Sequence, residues 1–355
     1  MLTRATAKAP EQDDLFSEEV TLLFPALLAL EGRLLGSAVR QQAVPSALTP
    51  CRLKPFTVRR VSGFETNLKS GETLKIISAK TAASLDADLV LLVPGATTAQ
   101  SIREALERGE GRWLHPKPID PAALGAQAML QRLTGVTASW EDAFHLREGR
   151  AATDDKPIYP GLRRPQIGAL HAALAHATRS TDPATIVMPT GTGKTETMLA
   201  LNARQRFDRL LVVVPTDALR EQIAAKFETF GVLKAQSCLD VSALFPVVTR
   251  LTRIPTSIAE VDQIFDSANV IVTTMHIAGR AEPPVQEHMA TRASALFIDE
   301  AHHIGARTWA SFRGLFAERA PPIPVVQFTA TPFREDGRRV DGEFIYTYPL
   351  KKAQQ

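Results

Sequence analysis

Two rhythms of apolar and polar positions divide the chain. From about residue 184 onward, short apolar runs alternate with amphipathic stretches; the runs are TIVM (185–188), LLVVVP (210–215), NVIVTT (269–274), ALFID (295–299) and PVVQFT (324–329). Alternation of strand and helix at that spacing predicts a parallel sheet with helical crossovers, and such a sheet binds ligands at the carboxyl ends of its strands. The earlier part reads differently. Residues 21–40 have helical spacing, with Pro25 where a first turn tolerates it. Residues 55–63 and 74–80 are strand-like, 87–95 is a short buried strand, and 97–109 is a capped helix stopped by Gly109. Residues 113–120 read as a loop and 122–133 as a further helix. The turn-rich stretch 147–161 then forms a boundary. The fold class expected is α/β: a small α/β accessory domain over 1–157, a mostly parallel sheet domain over 158–342, and a connector over 343–355.

Composition narrows this only modestly. A length of 355 residues suits two domains, and 45% apolar content is enough for two cores. Against 38 Asp and Glu stand 41 Lys and Arg, a net charge of +3. That balance does not identify a nucleic-acid binder unaided. Cys51 and Cys238 are far apart and lack CxxC spacing, so two idle thiols are expected rather than a disulfide or a zinc site. The start has no export-signal pattern, and the apolar stretch at 20–35 is broken by Pro25, Glu31 and Arg33. A cytoplasmic protein without a membrane span is the expectation.

Chemistry enters at 189–195. The strand-like TIVM runs into PTGTGKT and then into a helical segment, the order that a phosphate cradle needs. Gly191 and Gly193 let the backbone of Thr190, Thr192 and their neighbours bend so that successive N–H groups face phosphate oxygens, and the following helix, beginning near Glu196, presents its positive end. Lys194 would reach the terminal phosphates of ATP, and Thr195 would ligate Mg²⁺ through its hydroxyl. Met188 stands where the strict pattern has its first glycine.

A second site lies at 295–303, where the apolar run ALFI delivers two adjacent carboxylates to the same edge of the sheet. Asp299 would hold Mg²⁺ through water while Glu300 orients and deprotonates the attacking water. The spacing from Lys194 suits neighbouring strands joined through other crossovers. His302 and His303 lack a third ligand spaced to join them on a metal ion.

Asp299-Glu300-Ala301-His302 is a DEAH box, and 162–334 resembles the first RecA-like domain of a superfamily 2 helicase, a P-loop NTPase fold. LRRPQ (162–166) resembles the family's adenine-contact segment, which implies that Gln166 reads the base. PTDALREQ (215–222), from its residues alone a capped helix after a strand, resembles motif Ia. VTTMH (272–276) resembles the threonine segment before the DEAH strand. The resemblance implies that Pro215, Thr216, Thr273 and Thr274 face the nucleic-acid strand, and that His302, Thr329 and Thr331 couple hydrolysis to its movement. FIDEAHH and FTATPFR resemble the restriction-enzyme and DNA-repair branch more than the RNA helicases, which implies DNA as partner. A second RecA-like domain, in a longer chain or a partner, is implied as the source of arginine fingers. Without them the expectation is slow turnover, lower by about 10³ to 10⁵. A nucleotide-switched scaffold and an RNA helicase remain as other readings. Within the first 150 residues there is no nuclease or metal-ligand pattern; Arg59, Arg60 and Lys69 could touch phosphate, but a few surface charges are ordinarily just solvated.

Overall fold

A computed structural model describes residues 17–68, 72–80, 85–95, 97–115, 117–150, 159–303, 306–317, 322–334 and 337–349. The chain runs through β1 (Glu18–Leu23), β2 (Leu27–Leu34), β3 (Ser37–Val44), β4 (Leu48–Val58), β5 (Val61–Asn67), β6 (Thr73–Ile77), β7 (Leu89–Leu92), α1 (Ala99–Glu107), β8 (Arg112–His115) and α2 (Ala126–Ala138). It continues through α3 (Arg164–Arg179), β9 (Ala184–Val187), α4 (Lys194–Gln205), β10 (Leu210–Val214), α5 (Asp217–Thr229), β11 (Val248–Arg250), α6 (Ile258–Phe265) and β12 (Val270–Thr274). Then come α7 (Met275–Ala278), α8 (Pro283–Arg292), β13 (Ala295–Ile298), α9 (Ala306–Ala317), β14 (Val325–Thr329) and β15 (Glu343–Thr347).

Two compact units result, one from residues 1–27 and 44–117, the other from 28–43 and 118–355. The division differs from the boundary expected near residue 157, and strand pairing explains the difference. β3 lies antiparallel against β11, with Val248 opposite Arg40 and Arg250 opposite Ala38, so the β2–β3 segment belongs to the larger unit. The helix expected over 21–40 is three strands instead. Leu35 and Gly36 both take positive φ and turn β2 into β3, and along β3 buried Ser37, Val39 and Gln41 alternate with less buried neighbours. That period of two outweighs the leucine spacing that suggested a helix.

The smaller unit is a mixed sheet in the order β1-β4-β5-β6-β7-β8. α1 covers one face through Ile102, Ala105 and Leu106. Thr98 caps α1, its side chain accepting from Ser101 N at 3.1 Å. Residues 113–115 of the expected loop belong to β8 and pair with β7, because Trp113 has an apolar core to enter and its Nε1 donates to Pro25 O at 2.9 Å. β4 and β5 form a hairpin closed by Arg59 and Arg60, both with positive φ (46° and 68°). A two-residue loop of that kind favours Asn-Gly, and a side chain with a Cβ is strained there. Replacing Arg59 with Asn and Arg60 with Gly is expected to raise stability by on the order of 1 kcal/mol in urea denaturation; a loss of stability would show that the arginines hold the turn.

The larger unit contains a sheet in the order β15-β9-β14-β13-β10-β12-β11-β3-β2, parallel from β15 to β11. Its strands read as unbroken apolar runs because both faces are covered. Ile186, Val212, Val214, Phe297 and Phe328 fill one side, and Leu211, Val213, Ile271, Leu296 and Ile298 the other. Phe297 stands edge-on to Phe207 and Phe328, with ring centroids 5.7 and 5.8 Å away. β15 falls inside the expected connector; its Glu343 and Phe344 lie opposite Ala184 and Thr185, so it extends the sheet. Both cysteines are buried thiols. Among the described residues no helix is long and apolar enough to cross a membrane.

Candidate nucleotide site

The cleft begins where β9 ends. Met188 is fully buried, and its N–H donates to Thr329 O at 2.9 Å, so the chain is still held by strand pairing there and a glycine is not required. The turn comes afterwards. Gly191 (φ 83°) and Gly193 (φ 94°) carry the left-handed backbone, and Gly193 opens α4. The turn is fixed by its own residues: Thr192 Oγ1 donates to Pro189 O at 2.6 Å, and Thr197 Oγ1 donates to Gly193 O at 3.0 Å. A Cβ on Gly193 would lie 2.0 Å from Gln166 Nε2, so both conformation and space demand glycine. Thr190 and Gly191 are exposed on the rim, and Thr195 and Glu196 are half-buried in the first turn of α4.

Gln166 is buried and reaches the loop from α3. Its Oε1 accepts from Arg163 N at 2.7 Å, which closes the start of that helix, and Arg163 Nη1 donates to Gly191 O at 2.8 Å.

Opposite the loop, β13 delivers Asp299 and Glu300. β14 lies between β9 and β13, so the two chemistry-bearing strands are not direct neighbours as expected. The inserted strand ends in Thr329, which therefore sits between the phosphate loop and the acids. Lys194 Nζ is 2.8 Å from Glu300 Oε1, with both side chains largely shielded from solvent. Glu300 N donates to Asp299 Oδ1 at 3.0 Å, and Glu300 has a φ of 48°, a strained turn immediately after the strand. Burial raises the pKa of Asp299 from 3.8 to about 6; the charge of Glu300 adds to the rise, and that of Lys194 opposes it. Glu300 Oε2 is buried, accepts no hydrogen bond among the described residues, and lies 3.4 Å from His302 Nδ1.

A relay leaves this acid. Thr329 Oγ1 donates to Thr331 O at 2.8 Å, which leaves it to accept from His302 Nδ1 at 2.9 Å. Glu300, His302, Thr329 and Thr331 thus form one polar chain from the cleft to the loop after β14.

The cleft is about 570 Å³ and is lined by Gln166, Gly191, Lys194, Asp299 and Glu300 among others. Lys226 and Gln236 complete its far wall and were not legible in the sequence, because they come from the end of α5 and the turn beyond it. Lys226 Nζ donates to Glu196 Oε1 at 2.6 Å, and Gln236 Oε1 accepts from Gly161 N at 2.8 Å. A neighbouring hollow of about 410 Å³ is bordered by Thr190, Pro215, Thr216, Glu300 and His302.

Of the residues expected at a nucleic-acid strand, Thr216 is exposed and caps α5, accepting from Leu219 N at 3.3 Å, and Pro215 is half-buried beside it. Thr273 and Thr274, where strand contact was expected through threonines and nearby backbone N–H groups, have buried side chains. β12 is an interior strand between β10 and β11. Thr274 Oγ1 is turned to Ile277 N at the start of α7, and Thr273 Oγ1 has no hydrogen-bond partner among the described residues.

Residues 160–334 match the family described as type III restriction enzyme, res subunit. No curated protein sequence matches. Similar solved structures include the Pyrococcus furiosus Hef helicase domain, 23% identical over 48% of this chain and 34% of that one, with a TM-score of 0.32. T4 UvsW is 14% identical over 61% of this chain and 37% of its own, with a TM-score of 0.33. The type ISP restriction-modification enzyme LlaBIII bound to DNA is 15% identical over 76% and 19%, with a TM-score of 0.31. The chain thus spans about a third of the first two and about a fifth of the third. Residues 160–334 thus resemble the type III restriction enzyme res-subunit family and form a RecA-like domain of the kind that begins a superfamily 2 helicase.

Proposed function

We propose that this domain binds Mg²⁺-ATP and hydrolyses it to ADP and phosphate as part of a helicase or translocase acting on DNA in the cytoplasm. The observation that carries this reading is the Lys194–Glu300 pair beside Asp299 at the foot of a glycine loop. A binding-only scaffold has no use for the water-activating acid.

The residues fit the ligand chemistry. Gly191 has nothing within 4 Å of the space a Cβ would fill, so the loop can approach phosphate closely. Glu300 Oε2 is a buried acceptor with no hydrogen bond among the described residues, as a water-binding base needs to be. Mg²⁺ would supply charge neutralisation at the phosphates, and Thr195 and Asp299 are the residues that would hold it. Lys194 exchanges Glu300 for the terminal phosphate, and the released carboxylate accepts the proton of the attacking water. His302, already within reach of Glu300 and Thr329, passes that change in hydrogen bonding to Thr331. Gln166, aimed at the loop from α3, contacts the base. A second RecA-like domain, from a longer chain or a partner, would add cations at the transferring phosphate, so basal turnover is expected to be slow.

Titrating the full chain with a fluorescent ATP analogue, with and without Mg²⁺, tests the binding step. Phosphate release measured with single-stranded DNA, duplex DNA and RNA tests the rest. Lys194→Ala is expected to weaken nucleotide binding by roughly 10- to 100-fold, the worth of a charge-assisted hydrogen bond. Unchanged affinity in that variant would rule out the cleft as the ATP site, and equal stimulation by RNA would rule out DNA as the preferred partner.

A further inference from the structure

The β4–β5 hairpin of the smaller unit is left unused by any of this. Pairing with β1 stops at Leu53, opposite Glu18, and pairing with β6 stops at Gly63, opposite Ile77. Beyond those points, among the described residues, the two strands pair only with each other and make a two-stranded finger. Its root is fixed: Phe56 and Val61 pack against the buried cluster of Ile77, Val90 and Leu92, and Thr57 and Ser62 hydroxyls meet across the strands at 3.0 Å.

The segment Lys54–Ser62 carries three cations and no acid. Lys54, Arg59 and Arg60 are exposed, and among the described residues none of them forms an ion pair. Edge protection explains part of this, since a lysine and a proline on an unpaired edge discourage strand addition, and Lys54 and Pro55 fit that role. It does not explain the tip. A two-residue turn has no unpaired edge to guard, and both of its residues adopt a backbone that strains a side chain with a Cβ. Two adjacent arginines in that conformation, on a rooted finger, are placed to present guanidinium groups outward. Guanidinium groups grip phosphate oxygens in pairs, and a two-stranded ribbon fits the major groove of duplex DNA.

We propose that the tip of this finger, Arg59 and Arg60, is a nucleic-acid contact in the smaller unit, gripping the phosphate backbone of duplex DNA without reading its sequence. The proposal goes beyond the ATPase reading and rests on it only for the choice of ligand.

The test is binding of a short labelled DNA duplex to the full chain, followed by fluorescence anisotropy across a salt series. Arg59→Asn with Arg60→Gly suits the turn and removes both charges, so the hairpin stays folded. It is expected to lower duplex affinity roughly tenfold and to flatten the slope of log affinity against log salt by about 2. Arg59→Lys with Arg60→Lys keeps the charges and should retain most of that slope. An unchanged slope in the Asn-Gly variant overturns the proposal, as does an equal loss in the Lys-Lys variant. Lack of duplex binding by the unaltered chain also overturns it; capture of an acidic protein instead would point to a different partner and overturn it equally. Failure of the ATPase reading looks different: Mg²⁺-ATP affinity is then absent from the unaltered chain, whatever the salt series shows.

Discussion

Glu300→Gln is expected to lower ATP turnover by about 10² to 10⁴ while leaving Mg²⁺-ATP affinity equal or higher. Two features of the site separate those effects. Proton transfer needs a carboxylate, and a carboxamide of the same shape cannot accept the proton of the attacking water. Nucleotide binding, by contrast, competes with Glu300 for Lys194, because the ammonium must leave a partner at 2.8 Å in order to reach phosphate. Removing the charge from that partner frees the lysine. Single-turnover hydrolysis and equilibrium titration on the same preparation read the two effects independently. Turnover within threefold of the unaltered chain would eliminate Glu300 as the base. A loss of affinity as large as that of Lys194→Ala would show instead that Glu300 holds the ligand.

Much of this site was legible before any coordinates. Gly191, Gly193, Lys194, Asp299 and Glu300 are local motifs: each is fixed by the end of one strand and the turn that follows, and short-range spacing records such geometry well. Thr329 and His302 were identified through family resemblance, and the structure brings them together because β14 is inserted between β9 and β13. No local pattern encodes that insertion. Lys226 and Gln236 escaped for the same reason, being brought to the cleft by packing of α5 and its following turn. Thr273 and Thr274 show what a local motif leaves out. Their motif lies at a strand end, but the strand is interior and the hydroxyls point inward. The helix expected over 21–40 failed through length scale: its leucines satisfy a period of 3.6 only if the turn at Leu35 and Gly36 is ignored. Pairing of β3 with β11, more than 200 residues later in sequence, decides the outcome.

Asp299→Asn should stabilise the nucleotide-free protein while weakening its Mg²⁺-dependent grip on ATP. Asp299 is almost fully buried, and its pKa rises from 3.8 to about 6, first through burial and then through the charge of Glu300. The folded state therefore holds this proton more tightly than the unfolded chain does. Stability from this group is fully present below about pH 4, declines as pH rises toward 6, and stays lower above it. At ~1.36 kcal/mol per unit of pH, the penalty at neutral pH is on the order of 2 to 3 kcal/mol. Asparagine removes the charge and keeps an oxygen for Glu300 N. Urea denaturation at pH 7.5 should thus find the variant more stable, with the advantage shrinking toward zero near pH 4. Saturating Mg²⁺-ATP should reverse the order, because a ligand stabilises only the form that binds it tightly. If Asp299→Asn were instead less stable at every pH, the buried carboxylate would be a structural support rather than a strained metal ligand. Such a penalty suits a site arranged for a cation: a buried carboxylate that Lys194 only partly offsets costs folding energy, and binding of Mg²⁺ there would recover it.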